Sequence, residues 1–167
     1  GEYNGYFMMY LAKSEAVNVY KSKDLASWEA VSVCFNPPVG SWGVSDLWAP
    51  ACIYDKEDGK YYLFYSATNS NQKDGYVNTK YLGMAYSDSP VGPFVPFVGT
   101  NKNGTVMDVG TPLFDIELLG HDHPSYKRGS SFIDAFPFID PVTGDKYVYF
   151  CRDLGDNYDV SCSMGMK

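Results

Sequence analysis

The stretch GSSFIDAFPFIDPVTGDKYVYF, residues 129–150, holds two Ile-Asp pairs, at Asp134 and Asp140. Asp134 stands between Ile133 and Ala135 and is flanked by Phe132 and Phe136. In an apolar run of this kind an ionised carboxylate is costly unless it is paired or hydrogen-bonded. A strand acid there is either a structural hydrogen-bond anchor or a site residue whose pKa is set by its surroundings. Asp140 precedes Pro141 in DPVTGDK, and an Asp ahead of a Pro and Gly turn is turn chemistry. A third candidate is Trp48 in DLWAP. Proline within a strand is confined to edges, first positions or bulges, so Pro50 places Trp48 at the start of a strand, near a rim or funnel. Its indole is either packed in the core or a platform for a sugar ring, and position alone supports both. His121 and His123, in GHDHP, have the i, i+2 spacing of a metal pair, but without further ligands they read as surface histidines. No nucleophile elbow, phosphate loop or metalloprotease pattern is present.

The elements that must hold these residues are strands. Helical periodicity is absent, and short aromatic or alternating runs recur between Gly, Pro, Asn and Asp, the all-β signature. One unit occurs three times, as NGYFMMYLAKSEAVNVYKSKDLASWEAV from Asn4, DGKYYLFYSATNS through KYLGMAYSDSPVGPFVPF from Asp58, and GDKYVYFCRDLGDNYDVSCSMGMK from Gly144. Each opens on a Gly turn (Gly5, Gly59, Gly144), then an aromatic strand, a polar break and a second strand. In the first two copies that strand runs into a Ser and Asp turn, SKD or SDS, and closes on Trp28 or Phe94. Repetition with several strands per unit marks a β-propeller or a related repeat architecture. The segment 100–128, rich in Gly, Asn and Asp, reads as a long inserted loop.

The totals are compatible with this. The 167 residues suffice for one domain with a substantial core, and the 45% apolar content is that of a globular chain. A net charge of -7 argues against a nucleic-acid ligand and fits a neutral or cationic small one. No apolar run approaches a membrane span, which needs about 18–20 residues. The N-terminus lacks a signal-peptide layout, which fixes neither a secreted nor a cytoplasmic place. Aromatics make up 17% of the chain, as in strands and in surfaces that stack on sugars or bases. Cys34, Cys52, Cys151 and Cys162 show no metal spacing and read as buried strand thiols, with a disulfide the alternative.

Four stretches, NGYFMMYLA to VYKSKDLASWEAV, LWAPACIYDKEDGKYYLFYSA, LGMAYSDSPVGPF and SSFIDAFPFIDPVTGDKYVYF, together resemble glycoside hydrolase family 43 and occur in that family's order. The resemblance implies a five-bladed β-propeller, with residues 1–167 as a partial catalytic domain covering about blades 1–3. It implies an inverting hydrolase of arabinose- or xylose-containing plant polysaccharides, in the arabinanase, α-L-arabinofuranosidase and β-xylosidase group. Three acids on the funnel floor serve that family: an Asp base in the first blade, a Glu acid after the third, and an Asp on the third that tunes and orients the acid. The last falls on Asp134. Trp48 falls on a wall of the sugar subsite, and Ser66 and Phe132 are the other expected substrate contacts. The base and the acid are expected outside the sequence, since Glu2 lies too close to the first turn to serve, so the chain alone is expected to be inactive. The remaining blades would come from another segment or another chain. The family often carries calcium or another ion in its central channel, but no ligand set for one is visible. A non-catalytic carbohydrate-binding propeller is the alternative function, and a β-sandwich or scaffold propeller without a glycan site is a blander one.

Overall fold

The computed structural model describes residues 2–13, 15–68, 80–100, 106–107, 109, 111–113, 131–153 and 162–166. The described residues are strands and connecting turns, with no helix. The first sheet runs in the order β1 (Glu2–Tyr3), β2 (Tyr6–Lys13), β3 (Ala16–Ser22), β4 (Glu29–Phe35). The second is β5 (Ser45–Asp55), β6 (Lys60–Thr68), β7 (Lys80–Ser87), β8 (Val95–Pro96). After the short pair β9 (Gly99–Thr100) and β10 (Val106–Met107) comes a third sheet, β11 (Ser131–Ile139), β12 (Lys146–Asp153), β13 (Cys162–Met166). All neighbours pair antiparallel in chain order, as in a meander.

The repeated turns take the conformation their residues favour. Asn4 and Gly5 have φ of 51° and 75° between the paired Tyr3 and Tyr6, a two-residue hairpin of the Asn-Gly kind. Gly59 and Gly144, with φ of 73° and 75°, sit in the loops joining β5 to β6 and β11 to β12. A Cβ at any of the three would meet nothing within 4 Å, so the left-handed backbone, not crowding, selects glycine. Asp140 is a turn residue as expected: its Oδ1 accepts from the N–H groups of Val142 and Thr143 at 2.7 and 3.1 Å. The structural unit, however, begins one strand before the Gly turn, because β1, β5 and β11 belong to the sheets that follow. The inserted region is more than a loop, since β9 pairs with β10 and the Val109 carbonyl accepts from Trp42 N–H at 3.0 Å.

The second sheet lies between the other two, with β5 against β2 on one side and β11 on the other. That explains β6, in which Leu63, Phe64, Tyr65, Ser66 and Ala67 are buried in succession instead of alternately. A strand covered on both faces reads as a continuous apolar run. Aromatic rings link the three sheets: Phe35 lies 4.8 Å from Tyr65, Trp42 stacks on Tyr65 at 6.1 Å, and Tyr81 reaches Phe132, which meets Phe150 edge-on at 5.7 Å. Gly83, paired with Tyr65, leaves room for that ring, which would lie 2.3 Å from any Cβ there.

An ion pair joins the second and third sheets. Lys146 Nζ lies 2.6 Å from Asp55 Oδ2 and 2.8 Å from Glu57 Oε2; the Asp55 side chain is buried while that of Lys146 is half exposed. The bond from Lys146 holds the Asp55 carboxyl below its usual range. Stability from a depressed carboxyl is present above the ordinary value of about 4 and is lost as pH falls through the lower folded value. Lys146→Met should therefore cost about 1–2 kcal/mol at pH 7, between the ranges for exposed and buried pairs. The deficit should shrink as pH drops below about 4. Thermal unfolding of both proteins at pH 7 and pH 3 checks this; an equal deficit at both would contradict it.

Candidate active site

The geometry around Trp48 and Asp134 is made by bulges. Between the pairs Ser45–Thr68 and Trp48–Ser66, three steps of β5 face two of β6, and the same mismatch recurs between Trp48–Ser66 and Ala51–Phe64. Each mismatch inserts an extra residue and re-aims the side chains beside it. Asp46 and Ala49 accordingly have φ of 51° and 40°. Trp48 thus lies between two bulges, not at the strand's first position, and its side of β5 is an edge where Pro50 is tolerated. β11 does the same once, between Ile133–Cys151 and Phe136–Tyr149, and Asp134 takes φ of 57° there. Asp is among the few non-glycine residues that enter this region readily.

The bulge settles the puzzle of an acid in an apolar run. Asp134 is exposed while Phe132 and Ala135 on either side are buried, so its carboxylate keeps its water despite the sequence around it. Its backbone N–H donates to Ser66 Oγ at 3.2 Å. Ser66 is also the residue paired with Trp48, so one buried hydroxyl lies across the ladder from the indole and against the acid's main chain. Trp48 is 51% exposed, so the described sheets do not bury its indole.

Two expected substrate contacts are placed differently. Ser66 has no exposed surface, and its hydroxyl serves Asp134 instead. Phe132 is also fully buried, tilted on Tyr81 and edge-on to Phe150, so it packs beneath the site. Three residues that the sequence did not single out surround Trp48. Lys80 Nζ is 4.1 Å from the centre of its ring and 3.5 Å from Asp46 Oδ2, and it donates to Thr68 Oγ1 at 3.1 Å. Thr68 Oγ1 donates to Asp46 Oδ2 at 2.9 Å, and that bond, with Lys80 next, holds the Asp46 carboxyl below its usual range. No local pattern links residues 46, 68 and 80; only the ladder does.

Two concavities of about 350 and 560 Å³ open at the Asp55 end of β5, away from Trp48, and both include Ile139 and Lys146. Their chemistry is apolar packing and the Lys146 ion pair, so the candidate site is identified by its residues and not by these hollows. Among the described residues no three His, Cys, Asp or Glu side chains gather as a metal site. His121 and His123 lie outside the described residues. Cys34 and Cys52 are thiols on β4 and β5, and burial pushes them up to about 12 and about 11. Cys34 Sγ donates to the Val17 carbonyl at 3.3 Å. Cys151 is half-buried on β12, and the Cys162 side chain lies outside the described residues.

The sequence model of Glycosyl hydrolases family 43 matches residues 2–161. A beta-xylosidase of Xylanibacter ruminicola is 47% identical over 55 residues, 33% of this chain and 15% of that protein. An extracellular endo-alpha-(1->5)-L-arabinanase of Thermotoga petrophila is 30% identical over 122 residues, 64% of this chain and 25% of that protein. Among solved structures, a thermostable family-43 glycoside hydrolase superposes with a TM-score of 0.63 at 29% identity, covering 91% of this chain and 39% of that one. The chain therefore spans a quarter or less of the length of these two curated relatives.

The left-handed backbone at residue 134 predicts a graded response to substitution. Asp134→Asn, which tolerates that region, should leave the melting temperature within about 2 °C of the parent, while Asp134→Val should cost about 1–3 kcal/mol. Chemical denaturation of the two variants reads the difference directly. Equal stability would mean that the bulge relaxes freely.

Proposed function

The chain belongs to glycosyl hydrolases family 43, and on that premise we propose that it contributes to an inverting glycosidase of arabinose- or xylose-containing plant glycans. In this reading the three sheets are the first three blades of a five-bladed propeller, and the chain is a partial catalytic domain. The observation that carries it is the pairing of an exposed carboxylate, Asp134, with an exposed indole, Trp48, through the shared buried Ser66. The names of the curated relatives, a beta-xylosidase and an endo-arabinanase, support pentose glycans as the substrate class.

The roles follow from the chemistry. Trp48 offers a flat apolar face to the C–H side of a sugar ring, a contact in which aromatic side chains gain from both area and quadrupole. Inversion needs an acid and a base roughly 6.5–9.5 Å apart, so that a water fits beside the anomeric carbon. Those proton transfers belong to two other carboxyl groups. Asp134 acts on the acid: a carboxylate held nearby raises the acid's pKa by like-charge repulsion and keeps it protonated near neutral pH. The bulge, with the main-chain bond from Asp134 to Ser66, supports this reading because it turns the side chain outward at a defined point of the strand.

The test is the stereochemical course in the intact natural protein, followed by time-resolved proton NMR on arabino- and xylo-oligosaccharides. The first-formed sugar should carry the inverted anomeric configuration. Release of the retained anomer, or no cleavage of any pentoside, would overturn the proposal. Trp48→Ala should raise KM about fivefold or more, the equivalent of roughly 1 kcal/mol of lost stacking, as read from initial rates on the same substrates.

A further inference from the structure

Lys80 is the first residue of β7, and its side chain is 10% exposed, far less than Lys60 at 35% or Lys146 at 50%. Among the described residues its ammonium group sits closer to an aromatic ring than the other lysines that approach one: 4.1 Å from Trp48, against 5.0 and 5.1 Å for Lys23 and Lys21 over Tyr6 and 5.5 Å for Lys60 over Tyr86. All four lie within the range of a cation–π contact, but the attraction grows as the cation is desolvated and brought closer. The remaining donors of the Lys80 ammonium are directed to Thr68 Oγ1 at 3.1 Å and to the Asp46 carbonyl at 3.5 Å, with Asp46 Oδ2 at 3.5 Å supplying the counter-charge. The main chain of Lys80 is tied down as well, its N–H donating to Ser131 Oγ at 3.1 Å in the strand that carries Asp134.

We propose that Lys80 is a positioning residue for the substrate platform: by occupying one face of the Trp48 indole it fixes the ring's tilt and leaves only the opposite face for a sugar. This rests on the reading of Trp48 as a sugar platform. Without the ammonium group, that face of the indole would lose the cation held against it. With it, the ring's order is set before substrate arrives, and pre-ordering of this kind lowers the entropy lost on binding. The anchor also links the platform to the acid, because the residue that holds Trp48 through its side chain holds β11 through its main chain.

Three substitutions in the intact natural protein test this: Lys80→Met, which keeps length and removes charge; Lys80→Arg, whose planar cation also stacks on indole; and Lys60→Met as a control in the same sheet. Acrylamide quenching of the Trp48 fluorescence, isolated by subtracting the spectrum of Trp48→Phe, is measured first without sugar. It should rise in Lys80→Met and stay near the parent value in the other two. On pentose oligosaccharides, Lys80→Met should raise KM about threefold to tenfold with kcat within about twofold, and Lys80→Arg should recover most of the loss. Unchanged quenching in Lys80→Met, or a fall in kcat and melting temperature that Lys80→Arg shares, would overturn the proposal. If the parent turns over no pentoside, the function proposed above fails, while the quenching comparison still decides whether Lys80 holds the indole.

Discussion

The hydrogen bond from the Asp134 main chain to the buried Ser66 hydroxyl is the constraint around which the site is organised. A single neutral bond of this kind is worth only about 0.5–1.5 kcal/mol net, so its importance is geometric. It fixes the extra residue of the β11 bulge in the left-handed region, and that conformation turns the carboxylate outward while Phe132 and Ala135 stay in the core. Ser66 is fully buried in β6, which packs against β11 on the third sheet and meets Phe35 of the first sheet through Tyr65. The aromatic chain from Phe35 through Tyr65 to Trp42, and from Tyr81 through Phe132 to Phe150, fills those two interfaces. Packing among the sheets thus sets the position of one exposed acid.

Charge secures both ends of β5 by different means. Near its start, Lys80 and Thr68 hold Asp46 within the second sheet and place a cation against Trp48. At its end, Lys146 crosses from the third sheet to the buried Asp55. The first arrangement shapes the exposed surface of the candidate site, and the second keeps the neighbouring sheet from sliding along β5. Since β11 is the strand that carries Asp134, that alignment matters to the site as well. Both clusters join strands distant in sequence, and the carboxyls of Asp46 and Asp55 are held below their usual pKa range by these partners.

Legibility in the sequence followed the distance over which each feature is determined. The hairpins at Gly5, Gly59 and Gly144 could be read because a left-handed turn is selected by two or three adjacent residues. The turn role of Asp140 was readable for the same reason. The strand opening each sheet was not assigned to its unit, because β5 and β11 join their partners by pairing and not by a turn signal at their own start. The surroundings of Asp134 were misread from its neighbours: strict alternation would have buried it, and the register shift that exposes it depends on Cys151 and Tyr149 in the next strand. The burial of Ser66 and Phe132 was not readable, since burial on two faces is a property of the assembled sheets. Lys80 carried no signal, because its partners at 46, 48 and 68 come together only through the ladder.

Under the proposed function, Asp134 serves turnover and not sugar binding. This is tested most directly by measuring, in the intact natural protein, both kcat and calorimetric affinity for a pentose oligosaccharide with Asp134 replaced by Asn. Affinity should stay within about threefold of the parent while turnover falls by about a hundredfold or more, as loss of a group supporting general acid catalysis would give. Turnover near the parent value, with the fold intact, would contradict it.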